Sequence, residues 1–390
     1  MSKVVWCHPR PWGPARHGGD LRTRGLVMTA LKAGHDVTIV TPWGAELLHE
    51  TAPRVVPFRQ PHPYPLLAAM KVVSRHPLRS PRIGPRARHE VLRAVDAFEP
   101  DVAVVSEIMS WSFAQRLIPP GVRLVYDAQN VEGALFRDMT ALARTRLDRL
   151  TFAVDTRRVA RAERQLAKSA EQVLCVSGDD AQILASIAGH DRVRVVPNSV
   201  PTPDSATDVE STEGRALFVG TLDYPPNVAA VTELVEHIWP AVLRASPNSE
   251  LHVVGRRPTP ALRRLVEAAP NVTLHIDIAD LTPHYHSTRV VVTPIRRGGG
   301  TKLKVFEALS FGVPVVATSE ALNGIPVDAS EVARADSVEE IVDALATLLT
   351  DRVTASALGR RARNAFVDRL SWEAAALPPL DKALARPWGC

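Results

Sequence analysis

The sequence predicts an α/β protein made of two doubly wound, parallel-sheet domains, and three observations carry that prediction. First, short β-branched runs recur along the chain: "KVVWC", "DVTIVT", "DVAVVS", "RLVYDA", "QVLCVS" and "RVRVVP", then "ALFVGT", "ELHVVG", "VTLHID", "RVVVTP" and "GVPVVAT". They are apolar almost without a break, as strands are when helices cover both faces of a parallel sheet. Second, the intervening segments have helical period. Val228, Val231, Leu234, Val235 and Ile238, for example, fall on one stripe between two of these strands. Third, "PTPDSATDVESTEG" has linker composition, rich in Pro, Ser, Thr and acids. The expected organisation is therefore a first Rossmann-like domain over 1–200, a linker over 201–214, and a second Rossmann-like domain over 215–370. Residues 371–390 form a tail that starts helically, meets Pro378 and Pro379, and is expected over the domain junction. Two such domains are expected to face each other across a cleft, with ligands at the carboxyl ends of the strands.

Bulk properties narrow the function classes. A chain of 390 residues exceeds one ordinary domain. Its 45% hydrophobic and 23% charged fractions are those of a globular protein. A net charge of +5 is too small to argue for a nucleic-acid partner. Cys7, Cys175 and Cys390 show no metal-ligand spacing and suggest a reducing compartment. The chain enters an apolar strand at once with no signal-peptide pattern, and no run approaches the ~18 apolar residues of a membrane span. A cytoplasmic location is expected. The basic segment from Lys71 to Arg93 is expected to be solvated surface. Contact with a phosphorylated acceptor, or weak peripheral contact with an anionic membrane at about 1 kcal/mol per basic residue, is its alternative, although its prolines argue against a regular anchor helix.

The chemistry concentrates in "PIRRGGGTKLKVFEALSFGVPVVAT", Pro294 to Thr318. "RVVVTP" reads as a strand and "TKLKVFEALSF" as the helix after it, so Gly298, Gly299 and Gly300 form the loop between. Thr301 is the expected N-cap. Glycines let backbone N–H groups approach a ligand, and the helix start adds unpartnered donors and a positive dipole end. With Arg296, Arg297, Lys302 and Lys304, this is a cradle for phosphate or pyrophosphate. It is neither a Walker loop nor a dinucleotide fingerprint, since the required spacings are missing. A glycine turn with solvated basic residues is the bland alternative. Glu307 lies about 9 Å along the helix axis from Thr301, at about 1.5 Å per residue. There it can accept hydrogen bonds from ribose hydroxyls; otherwise it is an ordinary helical ion pair with Lys304.

These residues resemble the nucleotide-sugar site of the GT-B glycosyltransferases, in particular the retaining enzymes of family 4. The similarity runs over nearly the whole chain, through "HGGDLRTRGLVMTALKAGHDVTIVTP", "VYDAQNVE", "CVSGDDAQIL", "VVPNSV", "ALFVGTLDYPPNVAAVTELVEHIWP" and "LTPHYHSTRVVVTPIRRGGGTKLKVFEA", in the family's order. The resemblance implies transfer of a sugar with retention from a nucleotide sugar, such as a UDP-, GDP- or dTDP-sugar. It also implies no cofactor and no bound metal. Glu307 matches the second acid of the family's E-x7-E motif, the ribose holder, whereas Gly299 stands where the first acid would be. Gly19 and Gly220 join the expected donor site. Thr221 and Pro226 occupy the places of the family's pyrophosphate-clamping Arg and Lys, so the charge falls on Arg296, Lys302, Lys304 and the helix start. Asp127 and Gln129 are the candidate catalytic residues. Gln129 replaces a histidine common in relatives and can hydrogen-bond a sugar but cannot act as a base.

Acceptor recognition is expected from His8 to Asp20, Glu107 to Trp111 and Asp127 to Glu132, with Asp127 alternatively orienting Asn130 or capping the turn, and Ser177 and Asn198 as structural caps at strand ends. His284 and His286 in "HYH" are expected to diverge and to be exposed. The acceptor class stays open among natural product, lipid-linked and polysaccharide. The alternatives are a GT-B sugar-nucleotide epimerase and a binding protein with decayed catalysis.

Overall fold

The computed structural model describes residues 1–13, 18–43, 53–60, 80–141, 146–297 and 301–385. The chain divides into two compact units, Met1–Asn198 together with Ala375–Cys390, and Ser199–Ala374.

The first unit is built on β1 (Lys3–Cys7), β2 (Asp36–Pro42), β3 (Arg54–Phe58), β4 (Val102–Ser106), β5 (Arg123–Asp127), β6 (Gln172–Cys175) and β7 (Val193–Val195). Their order across the sheet is β3-β2-β1-β4-β5-β6-β7, and the described pairs, from Val4 opposite Val37 to Leu174 opposite Arg194, are parallel. Val4, Val5, Trp6, Val104, Val105, Val125 and Tyr126 are buried. The direction of winding reverses between β1 and β4, which puts the crevice of this sheet at Cys7 and Ser106. Trp6 spans the seam: its indole Nε1 donates to Ser106 Oγ at 2.7 Å.

The second unit carries β8 (Arg215–Thr221), β9 (Glu250–Arg256), β10 (Val272–Ile276), β11 (Val290–Thr293), β12 (Val315–Ala317) and β13 (Ala333–Arg334), in the order β10-β9-β8-β11-β12-β13, again parallel. Winding reverses between β8 and β11. The loops after these two strands are therefore where a ligand belongs, and they lead into Pro225–Glu233 and Leu303–Phe311.

The expected stripe of the second unit is buried at Val231, Leu234, Val235 and Ile238, with Val228 packed on the core. Its helix does not run evenly. Residues Leu234–Ile238 form a π-turn just ahead of Trp239–Ala245. Pro240, at the start of that helix, has no N–H to give the ladder, so the chain widens there. Two strands escaped the sequence reading. β3, "RVVPF", is an edge strand with Pro57 in it, and β13 has only Ala333 and Arg334.

The tail is helical over Leu377–Leu384 because both prolines sit in its first turn, where no N–H is required. It docks on the first unit. Ser2 Oγ donates to the Leu384 carbonyl at 2.8 Å, His35 Nε2 lies 3.0 Å from Asp381 Oδ1, and Arg123 donates to the carbonyls of Ala383 and Ala385 at 3.2 and 2.5 Å. In the basic segment, 71–79 lies outside the described residues. Beyond it Pro85 opens a regular helix, Pro85–Phe98, contrary to the expectation from its prolines. Val91, Val95 and Phe98 on its apolar face are buried in the first unit's core, so that face is not free to anchor the chain. Among the described residues no helix is long and apolar enough to cross a membrane.

Candidate functional site

Of the expected donor residues, Gly220, Lys302, Lys304 and Glu307 lie on the elements that meet at the switch point of the second unit, whereas Gly19 belongs to the first unit. β8 ends on Gly220 and Thr221. A Cβ at Gly220 would stand 2.8 Å from Asn227 Nδ2 and 2.9 Å from Lys304 Nζ, so the bare backbone is what lets that lysine lie across the strand end. Lys304 Nζ donates to Asn227 Oδ1 at 2.9 Å and lies 4.2 Å from the centre of the Phe218 ring. Asn227 in turn donates to the Thr221 carbonyl at 2.9 Å. Burial pushes the Lys304 amine down from 10.5 to about 7, against the favourable charge of Glu307 and with a smaller push from Lys302. An anion placed here restores the charged form.

The helix Leu303–Phe311 starts one residue later than expected. Its N-cap is Lys302, not Thr301, and that cap makes no side-chain hydrogen bond to the first turn. Among the described residues no side chain caps the first turn, whose N–H groups form the positive end of the helix dipole. Thr301 is half-buried just ahead of it, while Gly298, Gly299 and Gly300 lie outside the described residues. The Lys302 side chain is 8% exposed and pairs with Glu320 at 3.1 Å. Gly312, at φ 71°, closes the far end of the helix.

One turn on from Lys304, Glu307 does not close the i−3 ion pair. Among the described residues its hydrogen-bond donor is Tyr285, whose hydroxyl reaches Oε2 at 2.8 Å. Burial raises the Glu307 carboxyl; the Tyr285 bond and Lys304 oppose it. Tyr285 is itself buried, and burial and then Glu307 hold its phenol well above the ordinary value, so it stays a donor. Its ring stacks on Phe311, centroids 4.7 Å apart and 8° from parallel.

Arg296 departs from expectation. Its guanidinium makes a fork with Glu233, Nε to Oε1 at 2.9 Å and Nη2 to Oε1 at 2.8 Å, and also donates to the Asp336 carbonyl. It is a strut between elements of the second unit, already neutralised, and not an available phosphate cation. Glu233, which captures it, carried no signal in the sequence; neither did Asn227 and Tyr285, beyond lying inside "PPN" and "HYH".

In the first unit, Asp127 is fully buried. Oδ1 pairs with Arg22, 2.9 Å from Nε and 2.8 Å from Nη2, and Oδ2 accepts from Ser106 Oγ at 2.9 Å. Arg22 continues to the Val196 carbonyl at 2.8 Å and Asn198 Oδ1 at 3.0 Å. The expected catalytic role of Asp127 is therefore replaced by a positioning one, because both oxygens are engaged out of solvent. Ser177 is a cap, accepting from the Asp180 N–H at 3.1 Å.

Gln129 is placed beside Gly19. Its Nε2 donates to the Gly19 carbonyl and to Thr23 Oγ1, each at 3.2 Å. A Cβ on Gly19 would meet Gln129 Oε1 at 2.5 Å, Glu107 Oε1 at 2.6 Å and Arg10 Nη2 at 2.8 Å. Gly18 and Gly19 already belong to the helix Gly18–Lys32, which shortens the expected His8–Asp20 loop, and Glu107 to Trp111 is helical throughout, inside Glu107–Ala114. Glu107 holds φ at 59°, a costly conformation for a residue with a side chain. Arg10 bridges it, Nη1 to Oε2 at 2.8 Å, to Asp20, Nε to Oδ1 at 2.5 Å. Beside this nest Glu132 is pushed up to about 7 by burial and then by Glu107. Sequence reasoning missed Arg10. Its place between the ends of β1 and β4 became visible only with the sheet order.

The histidines of "HYH" do diverge, but neither is exposed, both being half-buried. His286 packs edge-on against Phe311, at 5.4 Å and 89°, whereas His284 joins His252 and His275. Burial, then Arg215 and the neighbouring imidazole, push His252 down to about 4, and His275 and His284 are lowered too.

Two family models match the chain, "Glycosyltransferase Family 4" over 18–203 and "Glycosyl transferases group 1" over 213–351. A comparison with curated proteins by sequence finds no match. Solved structures of similar fold include sucrose-phosphate synthase from Thermosynechococcus elongatus, at 16% identity, 97% of each chain covered and a TM-score of 0.66. WaaG, a glycosyltransferase involved in lipopolysaccharide biosynthesis, is similar at 17% identity and a TM-score of 0.62, over 98% of this chain and 100% of that one. HepE of Anabaena, in complex with UDP and glucose, is similar at 11% identity and 0.62, with 98% of each chain covered. With both units matched by glycosyltransferase models and both sheets in the parallel, doubly wound form, the chain is a GT-B glycosyltransferase.

Proposed function

We propose that this glycosyltransferase is a retaining, metal-independent enzyme whose second unit holds a nucleoside-diphosphate sugar and whose first unit holds the acceptor. One observation carries the reading: the helix start at Lys302 and Leu303, then Lys304, and then Glu307 lie in sequence along one helix at the switch point of the sheet. In this reading the diphosphate sits at the helix start against Lys304, and the ribose hydroxyls donate to Glu307 one turn further on. The solved neighbours that hold UDP, UDP-glucose or ADP favour a nucleotide of this class.

The chemistry follows from where charge develops. As the glycosidic bond to the diphosphate breaks, negative charge grows on its oxygens. Backbone donors of the helix start are fixed in advance at that point, and the buried Lys304 amine, which takes up a proton as the diphosphate binds, adds its charge there. This chain's own cations do what a divalent ion does elsewhere. With the leaving group stabilised, the acceptor hydroxyl attacks from the same face and passes its proton to the departing phosphate oxygen, so no strong base is needed, a role for which Gln129 is unsuited. Gln129 instead orients a sugar hydroxyl, its amide held by Gly19 and Thr23.

Incubation with a panel of UDP-, GDP-, ADP- and dTDP-sugars in the presence of a chelator tests this, with nucleoside diphosphate release as the signal and NMR of the product anomer as the stereochemical readout. Release from at least one donor, with the anomeric configuration kept, is expected. An inverted product or an absolute need for added metal overturns the respective part.

A further inference from the structure

Away from the donor residues, three imidazoles converge at the β10 edge of the second unit. His252 on β9, His275 on β10 and His284 in the short helix Thr282–His286 each bring a ligand nitrogen, and the three nitrogens lie within 4.8 Å of one another. His275 Nε2 is 3.1 Å from His252 Nδ1. The His275 ring is centred 4.7 Å from both other rings. Two ligands bonded at about 2.0–2.1 Å to a tetrahedral zinc ion stand about 3.4 Å apart, so small ring rotations bring all three to bonding distance. The surroundings fit as well. His252 turns its other nitrogen, Nε2, toward Glu250 Oε2 at 3.5 Å, the carboxylate–histidine arrangement that orients metal-bound imidazoles. Arg215 is the opposing charge. It is held by Glu250 at 3.0 Å and by Glu213 at 3.6 Å, which offset it.

We infer that His252, His275 and His284 form a binding site for one divalent transition-metal ion of the zinc class, with the fourth position left to water. An all-imidazole set suits zinc, cobalt, nickel or copper, whereas magnesium and calcium prefer oxygen ligands. The ion is structural: it ties an edge strand and a five-residue helix to the interior strand β9. The residue after His284 is Tyr285, which donates to Glu307, so the same tie steadies the residue beside the donor site. Transfer chemistry has no step through this ion, and the site stands or falls apart from the proposed reaction.

The test uses the untagged full chain, stripped with chelator, desalted and titrated with Co(II), then with Zn(II). One Co(II) per chain, with the strong visible bands of tetrahedral coordination, is expected. Zn(II) should displace it and raise the melting temperature, while Mg(II) should do neither. His275→Ala and His284→Ala should each weaken Co(II) binding by more than about 100-fold, beyond what losing an outer partner costs. His286→Ala, on the same helix but turned to Phe311, should bind as the parent does, which separates ligand loss from damage to the helix. Circular dichroism of the metal-free variants confirms that each is folded. Absence of the visible bands in the parent protein overturns the inference. So does parent-like Co(II) affinity in both alanine variants.

Discussion

Replacing Glu307 by glutamine isolates the charge on the proposed ribose holder. The side chain keeps its shape, and the amide oxygen can still accept from Tyr285, which now reaches Oε2 at 2.8 Å. What changes is the second position. A carboxylate oxygen that accepts from a sugar hydroxyl becomes an NH2 group, and the hydroxyl must turn round to meet it. Hydrogen bonds to a charged acceptor contribute about 1.5–3 kcal/mol. That corresponds to a dissociation constant raised about 10- to 150-fold. Stability should hold or rise slightly, because burial already disfavours the Glu307 carboxylate and the amide carries no charge to bury. Isothermal calorimetry with UDP, GDP, ADP and dTDP, beside melting curves of both proteins, measures the two effects. An unchanged dissociation constant for the nucleotide that binds the parent would return Glu307 to a purely structural bond with Tyr285 and refute the placement of the ribose.

The remaining predictions concern other parts of the two units. Because Lys304 titrates near 7, its amine is mostly neutral at about pH 8 and should take up close to one proton when a diphosphate binds; calorimetric enthalpies that do not vary with the buffer's ionisation heat would contradict this. The same lowered value means that burying the amine costs most at low pH, so its contribution to stability improves as pH rises from about 7 towards 10.5, which a Lys304→Met variant should lose. Asp127→Asn leaves the Arg22 charge buried without its counter-ion and should destabilise the first unit by about 3 kcal/mol or more, read by denaturant unfolding; a loss of turnover in a variant of undiminished stability would reinstate Asp127 as a catalytic group. Gln129→His should be tolerated, whereas Gln129→Ala should lower turnover more than nucleotide affinity; a change in melting temperature with turnover intact would make it a packing residue only.

The fold was legible because buried parallel strands write themselves as unbroken apolar runs, and these strands did so in both halves. β3 and β13 were not, the first because Pro57 sits in an edge strand and the second because two residues carry no pattern. The donor residues were partly legible. Bare glycines, lysines and a glutamate in one strand–helix connection point to an anion and a sugar, and Gly220, Lys304 and Glu307 do gather at the switch point. Spacing could not tell which charges were already spent. Arg296 looked available in sequence, and only the fold shows Glu233, far away in the chain, closing on it. Asp127 looked available for catalysis for the same reason, since Arg22 and Ser106 reach it from distant segments. The histidine cluster was invisible because its members lie on three separate elements, and adjacency of strands β9 and β10 is a fact of pairing, not of spacing.

The central claim is that the chain's own groups, the Lys302–Leu303 helix start with Lys304 and Glu307, hold the donor's nucleoside diphosphate without help from a metal at that place. Calorimetric titration of the full chain with UDP, GDP, ADP and dTDP in EDTA tests it most directly, repeated with Mg²⁺ in place of the chelator. The account predicts binding of at least one nucleotide, one per chain, with an affinity that Mg²⁺ leaves within a few-fold. Binding of all four only in the presence of Mg²⁺, or of none under either condition, would contradict it.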